Sequence, residues 1–189
     1  MQIDEIPSSL LDEYARIPIR FEVRSILDVE LIDGGLGGFR FHEETVEPYI
    51  KDYDEMESPT DWPRQFDVSN WGFFLAHDGN ENVGVAAMAF DSNGIHMLEE
   101  RSDLAVLWDI RVRPEVRGRG VGRMLFEHAA NWSRRRGCRQ MKIETQNVNV
   151  AACHFYRRMG CELGNIHRFG YAAIPAVSDE VMLNWYFNL

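Results

Sequence analysis

The chain has 189 residues, 45% of them hydrophobic, and its 30 acidic and 20 basic side chains give a formal net charge of −10 at pH 7. That length fits one domain with a sizeable core, and no run of residues approaches the roughly 20 apolar residues of a membrane span. The first residues, Met-Gln-Ile-Asp-Glu, lack the pattern of a secretory signal, so we expect a cytoplasmic protein with reduced thiols. The three cysteines and six scattered histidines show no metal-ligand spacing, so we expect no metal.

The N-terminal part predicts a strand followed by a turn and an acidic segment. Residues 20–32 alternate polar and apolar in part, as a half-buried strand does, and Asp33–Gly38 has the composition of a turn. Residues 42–61 are acidic and poorly periodic, and they contain Pro48. This segment predicts a loop or short helix that faces a substrate.

The middle of the chain predicts a hairpin and then a buried strand. Trp71–His77 and Val83–Phe90 flank Asp78-Gly79-Asn80, which is typical of a β-hairpin. The apolar run Leu104–Val112 predicts the next strand.

The C-terminal part predicts a helix and three strands. Residues 121–136 place apolar side chains at helical spacing, and Gly137 is a plausible residue to end that helix. Gln140–Gln146 predicts a strand, and the alternation in Phe169–Ile174 and Val181–Leu189 predicts two closing strands.

A glycine-rich turn, Arg117-Gly118-Arg119-Gly120-Val121-Gly122, joins the buried strand to the helix. Such a turn lets backbone N–H groups approach an anion at a helix N-terminus, and Arg113 and Arg123 add positive charge. A P-loop would end in Lys followed by Ser or Thr, and a dinucleotide fingerprint would need glycine in place of Arg123, so both are excluded. The pattern R-x-x-G-x-G remains, with an ordinary strand-to-helix turn as the alternative.

A second pattern follows about thirty residues later. Asn149, Ala152, Phe155 and Tyr156 spell N-x-x-A-x-x-F-Y on a predicted short helix. Together, in this order and at this separation, the two patterns resemble the coenzyme A-binding segments of the GNAT N-acetyltransferases.

The resemblance implies an α/β fold of the α+β type. Its sheet would be mixed, mostly antiparallel and six- to seven-stranded, flanked by helices, with a central parallel βαβ unit. Residues 1–189 would form a single N-acetyltransferase domain. Within it, 1–103 would provide N-terminal strands and acidic substrate-facing loops, 104–163 the coenzyme-binding core, and 164–189 the closing strands.

The resemblance also implies acetyl-CoA as cosubstrate, without a metal. The pantetheine arm would run like an extra strand along the strand before the loop, and the loop N–H groups would hold the pyrophosphate. The residues implied to bind the coenzyme are Ile110, Arg111, Val112, Arg117, Gly118, Arg119, Gly120, Val121, Gly122, Asn149 and Ala152.

Three residues are candidates for catalysis. A tyrosine with a pKa of about 10 holds its proton at pH 7, so Tyr156 can protonate a leaving thiolate, although it could instead pack as core beside Phe155. An alkylammonium must lose a proton before attack, and Asp109 and Glu144 are the candidate bases because both carboxylates interrupt strands beside the expected coenzyme cleft. Each of these carboxylates could also be structural.

Within the family, the chain resembles the streptothricin acetyltransferases. The likeness lies in Glu144–Asn149, in Pro48–Glu55 and in the pair Trp185-Tyr186. It implies transfer to a primary amine of a streptothricin-like cationic antibiotic, and so antibiotic resistance. Two alternatives stay open: a protein or peptide N-acetyltransferase of the ribosomal-protein type, and a non-catalytic sensor that binds acyl-CoA.

The charge distribution bears on the partners. Residues 1–103 carry 23 acids and 7 bases, whereas residues 104–189 carry 7 acids and 13 bases. A basic half suits a phosphate-rich coenzyme and an acidic half suits a cationic substrate, although acidic surfaces also aid solubility. The short run Arg134–Arg136 is interpreted as a solvated helix end, so we expect no nucleic-acid or membrane partner, while a homodimer, common in the family, is left open.

Overall fold

The computed structural model describes all of residues 1–189. The strands are β1 (Gln2–Ile6), β2 (Phe21–Leu31), β3 (Phe39–Lys51), β4 (Gly72–Asp78), β5 (Glu81–Ala89), β6 (Leu104–Val112), β7 (Gln140–Gln146), β8 (Glu162–His167) and β9 (Met182–Asn188). The α-helices are α1 (Leu11–Tyr14), α2 (Trp62–Gln65), α3 (Val121–Arg135) and α4 (Val150–Arg158). Short 3-10 turns lie between several of these elements.

Seven strands form one mixed sheet in the order β1-β4-β5-β6-β7-β9-β8, while β2 and β3 form a separate antiparallel ribbon. The pairing of β6 with β7 is parallel, and the helix α3 connects the two strands. This architecture confirms the predicted fold class, including the number of strands and the central βαβ unit.

The chain forms two compact units, each assembled from separate stretches of sequence. The first unit contains residues 1–20, 52–143 and 187–189, and the second contains residues 21–51 and 144–186. The single domain expected from the sequence stays a prediction.

In the first unit, the sheet is buried on both faces. Adjacent residues of β4 point to opposite faces, so Phe73 packs against Trp62 of α2, whereas Phe74 packs edge-to-face on Trp132 of α3. Burial on both faces explains why β5 is apolar along nearly its whole length rather than alternating. The predicted hairpin of β4 and β5 is confirmed, with Gly79 at a positive φ of 61° in its turn.

Helix α3 follows the predicted pattern closely. Val121, Leu125, Ala129 and Trp132 recur at helical spacing and are all buried. The helix ends at Arg135, one residue before the predicted end, and is followed by Gly137 at a positive φ of 80°.

The prediction of a loop or short helix for residues 42–61 is wrong for residues 42–51, which lie in the second unit. Those residues belong to β3, which pairs with β2 from Phe39↔Leu31 to Lys51↔Phe21. Most β3 side chains are exposed, so the strand lacks the apolar alternation that a half-buried strand shows. Pro48 lies where the register between the strands shifts, which is where a strand tolerates a missing N–H donor. After β3, residues 53–55 and 59–61 do form short 3-10 turns.

The predicted strand Phe169–Ile174 is also wrong. The strand that pairs with β9 is β8, Glu162–His167, and the chain then turns through residues 168–173. Most β8 side chains are exposed, and Gly164 interrupts the strand under the ring of Tyr186, so its pattern is weak in the sequence. The other closing strand, β9, lies within the predicted residues 181–189.

Candidate active site

The glycine-rich turn lies in the first unit between β6 and α3. Gly118 and Gly120 have positive φ angles of 78° and 88°, a conformation that side chains with a Cβ rarely adopt. Gly120 is the N-cap of α3 and no side chain caps the helix. The N–H groups of the first helical turn have no partner within a helix, so this N-terminus is suited to an anion.

Arg117 stabilises the backbone of the turn, whereas Arg123 forms an ion pair on the protein surface. The guanidinium of Arg117 donates to the carbonyl oxygens of Val112, at 3.0 Å, and Arg20, at 3.1 Å. Burial lowers the pKa of Arg117. Arg123 instead pairs with Glu127, at 2.7 Å, on the exposed surface of α3. Arg117 therefore fixes the turn against the end of β6.

The backbone of β6 has a ladder partner on each side only over part of its length. Its antiparallel pairing with β5 extends to Val112, and Trp108 is an extra residue in that ladder. The parallel pairing with β7 covers Leu104–Leu107, and β6 continues beyond it through Ile110 and Arg111. The segment that the resemblance assigns to the pantetheine arm is this continuation.

Asp109 lies in a buried hydrogen-bonded network of the first unit. Its Oδ2 accepts from the Tyr14 hydroxyl at 2.9 Å and from Arg111 Nε at 2.5 Å. Arg111, with a side chain only 2% exposed, also donates to Asp54 at 2.8 and 3.0 Å and to the carbonyl of Ile17 at 3.2 Å. This candidate base is therefore held by two donors inside the unit.

The pKa values in this network follow from burial and from its charges. Burial, together with the charge of Asp109, raises the pKa of the Tyr14 hydroxyl well above its usual value. For Arg111, burial favours the neutral form, but the charge of Asp109 prevails with further help from Asp54, and the pKa is raised. The phenol and the guanidinium therefore keep their protons.

Glu144, the other candidate base, lies in the second unit on β7 and is half-buried. Its Oε1 accepts a hydrogen bond of 2.7 Å from the hydroxyl of Tyr171, which in turn accepts one of 3.0 Å from Gln146 Nε2. Burial, with the nearby charge of Glu144, raises the pKa of Tyr171. No pattern in the sequence points to Tyr171, because it lies 27 residues from Glu144, in the turn formed by residues 168–173.

Helix α4 carries the remaining predicted residues. Asn149 is its N-cap, with Oδ1 accepting from the backbone N–H of Ala152 at 3.2 Å. Tyr156 is buried, and its ring lies edge-to-face on Phe155 with centroids 5.2 Å apart. The structure thus groups Glu144, Asn149, Ala152 and Tyr156 within the second unit, and the glycine-rich turn, β6 and Asp109 within the first.

Comparison with known proteins decides the family. The sequence pattern of the acetyltransferase (GNAT) family matches residues 39–161, more than half of the chain. This protein belongs to the GNAT acetyltransferase family. It is 33% identical over 187 residues to a streptothricin acetyltransferase of Escherichia coli, a match that covers 99% of this chain and 95% of the relative.

Two solved structures resemble this GNAT enzyme over their whole length. One is a provisionally assigned streptothricin acetyltransferase from Bacillus anthracis str. Ames in complex with acetyl coenzyme A, with a TM-score of 0.78, 26% identity and coverage of 100% of this chain and 99% of that one. The other is a nourseothricin acetyltransferase, with a TM-score of 0.76, 25% identity and coverage of 99% and 97%.

These relationships confirm the predicted family, enzyme class and cosubstrate. The protein is an acyltransferase, an acetyl-CoA-dependent N-acetyltransferase. The uncapped N-terminus of α3 and its positive-φ glycines fit a pyrophosphate group. None of the helices combines the length and the apolarity that crossing a bilayer requires.

Proposed function

We propose that this enzyme acetylates a primary amine of a cationic small molecule of the streptothricin kind, with Glu144 as general base and Tyr156 as general acid. The observation that carries the proposal is the likeness to a streptothricin acetyltransferase over 99% of the chain. The excess of acids in residues 1–103, 23 against 7 bases, supports a cationic acceptor through electrostatic steering. We further propose a cytoplasmic enzyme that acts as a single domain without a nucleic-acid or membrane partner.

The coenzyme would be held mainly by backbone groups. N–H groups from Arg117 to Gly122 bind the pyrophosphate at the N-terminus of α3, where the helix dipole favours negative charge. The backbone of Ile110–Val112 pairs with the extended pantetheine arm, since β6 continues beyond its ladder with β7. The family resemblance predicts that Asn149 and Ala152, at the start of α4, also bind the coenzyme.

Glu144 and Tyr156 would perform the proton transfers. Glu144 accepts a proton from the substrate ammonium, and the neutral nitrogen then forms a C–N bond to the acetyl carbonyl carbon as the C–S bond breaks. Tyr156 gives its phenolic proton to the departing sulfur, and the second proton that the attacking nitrogen loses as the amide forms passes through solvent and restores the phenol. Glu144 then releases its proton to solvent. The products are the amide and the free thiol of the coenzyme, whose thioester supplied the activated acetyl group.

Glu144 is the better base of the two carboxylates for an electrostatic reason. Protonation of Asp109 would leave the buried guanidinium of Arg111 without one of its two anionic partners. Glu144 instead accepts a hydrogen bond from the phenol of Tyr171, whose raised pKa keeps it neutral. Asp109 is therefore assigned a structural role.

The proposal is tested by thiol release from acetyl-CoA with a panel of amines: streptothricin, an aminoglycoside, a polyamine, free lysine and a basic peptide. We expect saturable turnover on streptothricin. Turnover on the peptide alone would favour a protein acetyltransferase. Binding of acetyl-CoA without turnover on any amine would favour a sensor.

The roles of the two side chains are tested with single variants. For Tyr156→Phe, kcat should fall by ~10²–10⁴-fold while calorimetry shows unchanged acetyl-CoA affinity, because only the acid is lost. Tyr49→Phe is the matched control, since Tyr49 is an exposed tyrosine of β3 in the same unit. Glu144→Gln should lose turnover at neutral pH. Unchanged kcat in the Tyr156 or Glu144 variant would refute the role of that residue.

A further inference from the structure

The side chain of Tyr171 joins two residues of β7. Its hydroxyl lies 2.7 Å from Glu144 Oε1 and 3.0 Å from Gln146 Nε2, and the residue as a whole is only 7% exposed. Glu144 and Gln146 are two positions apart on one strand, so their side chains share a face of the sheet. Both therefore reach the same phenol.

The direction of these hydrogen bonds follows from the number of protons. A phenol has one proton, and an ionised carboxylate only accepts. The proton of Tyr171 therefore points to Glu144. In the hydrogen bond with Gln146, the side-chain amide of Gln146 is the donor and the phenol oxygen of Tyr171 is the acceptor. That second bond occupies a lone pair of the phenol oxygen and keeps its proton directed at the carboxylate.

The surrounding charges keep Tyr171 in its protonated form. Burial first, and then the negative charge of Glu144, raise its pKa. Glu180 also disfavours the phenolate, and its own carboxylate is paired with Lys51 Nζ at 2.5 Å. Tyr171 is consequently a permanent donor over the pH range in which the enzyme is assayed.

We propose that Tyr171, oriented by Gln146, is a positioning residue that fixes the carboxylate of Glu144 and stabilises its charged form for the reaction. The inference rests on the proposed function, in which Glu144 is the general base. Tyr171 keeps its proton throughout and adds no chemical step. Its effect is to keep the base ionised at the acidic end of the working range.

The test is the pH profile of kcat/KM for Tyr171→Phe from pH 4.5 to 9.5. The variant retains the ring but loses a hydrogen bond to the charged base, so the acidic limb should move up by about one pH unit. On that limb kcat/KM should be about tenfold below wild type, and on the plateau it should return to the wild-type value. Gln146→Leu should move the limb in the same direction by less.

The matched control is Tyr14→Phe. Tyr14 is also a buried tyrosine whose hydroxyl donates to a carboxylate, at 2.9 Å to Asp109. Its replacement should lower the melting temperature by a similar amount but leave the acidic limb in place. A merely structural role for Tyr171 would give the same result for both variants.

Failure of the inference can be separated from failure of the proposed function. If Glu144→Gln is inactive and the limb of Tyr171→Phe coincides with wild type, the positioning role is overturned and Glu144 remains the base. If Glu144→Gln keeps turnover, the assignment of the base fails. If Tyr14→Phe moves the limb and Tyr171→Phe does not, Asp109 is the titrating carboxylate and the inference is overturned.

Discussion

Replacement of Arg111 by methionine removes the guanidinium that joins two carboxylates in the first unit. Methionine fills much of the same space with a flexible apolar chain, so the change is mainly one of charge and hydrogen bonding. Asp109, whose side chain is 6% exposed, would then keep the hydroxyl of Tyr14 but lose its cationic partner. Asp54 is 29% exposed on its side chain, so water can replace its lost contact.

The expected loss of stability is dominated by Asp109. Removal of one partner of a buried ion pair costs about 3–5 kcal/mol, because an uncompensated charge stays in the interior. For a chain of this size each kcal/mol lowers the melting temperature by roughly 2–4 °C, so we expect a decrease of roughly 6–20 °C. The additional change Asp109→Asn removes the uncompensated charge and should restore about 1–3 kcal/mol of the lost stability.

Urea unfolding at pH 7, followed by circular dichroism, measures these differences directly. Wild type, Arg111→Met, Asp109→Asn and the double variant form a cycle that isolates the coupling between the two side chains. A loss of stability below about 1 kcal/mol for Arg111→Met would refute the reasoning, since an exposed ion pair contributes no more than that. Strict additivity in the double variant would refute it as well.

Two further predictions concern the glycine-rich turn and the thiols. Gly120→Ala introduces strain of about 1–2 kcal/mol at φ 88° and should raise KM for acetyl-CoA. Gly79→Ala, at φ 61° in the β4–β5 turn, should carry similar strain and leave KM unchanged. Equal KM values in the two variants would contradict a coenzyme role for the glycine-rich turn. Burial raises the pKa of Cys153 to about 11 and of Cys161 to about 12, so neither thiol should react with Ellman's reagent at pH 8 until urea unfolds the protein. Rapid labelling of more than one of the three thiols in the native enzyme would contradict this, since only Cys138 lies outside the prediction.

The parts of the fold that could be predicted are those with a strong local pattern. β6, α3 and β7 were found from an apolar run, a helical spacing and a second apolar strand, and their bounds differ from the prediction by at most one residue. β3 and β8 were missed because their side chains are mostly exposed, so neither strand carries a pattern of burial. Such strands are held mainly by backbone pairing with the neighbouring strand, which leaves little trace in their own side-chain pattern.

The candidate site divides in the same way. The glycines of the turn are recognisable because positive φ angles require that residue type at fixed positions. The tyrosine partners of the two carboxylates are not recognisable, since Tyr14 lies 95 residues from Asp109 and Tyr171 lies 27 residues from Glu144. The cationic partner of Asp109 is local by contrast, because Arg111 lies two residues further along β6 on the same face.

The interleaving of the two compact units has a consequence for biosynthesis. The first unit includes Phe187–Leu189, where the ring of Phe187 packs on Phe126 of α3 and the N–H of Leu189 bonds to the carbonyl of Arg139. The second unit likewise needs residues on both sides of a 92-residue stretch that belongs to the first. Neither unit can be completed on the ribosome until β9 has emerged, so folding depends on long-range contacts, which slow it. Nascent chains that stop before β9 would expose unpaired strands and be ready substrates for chaperones.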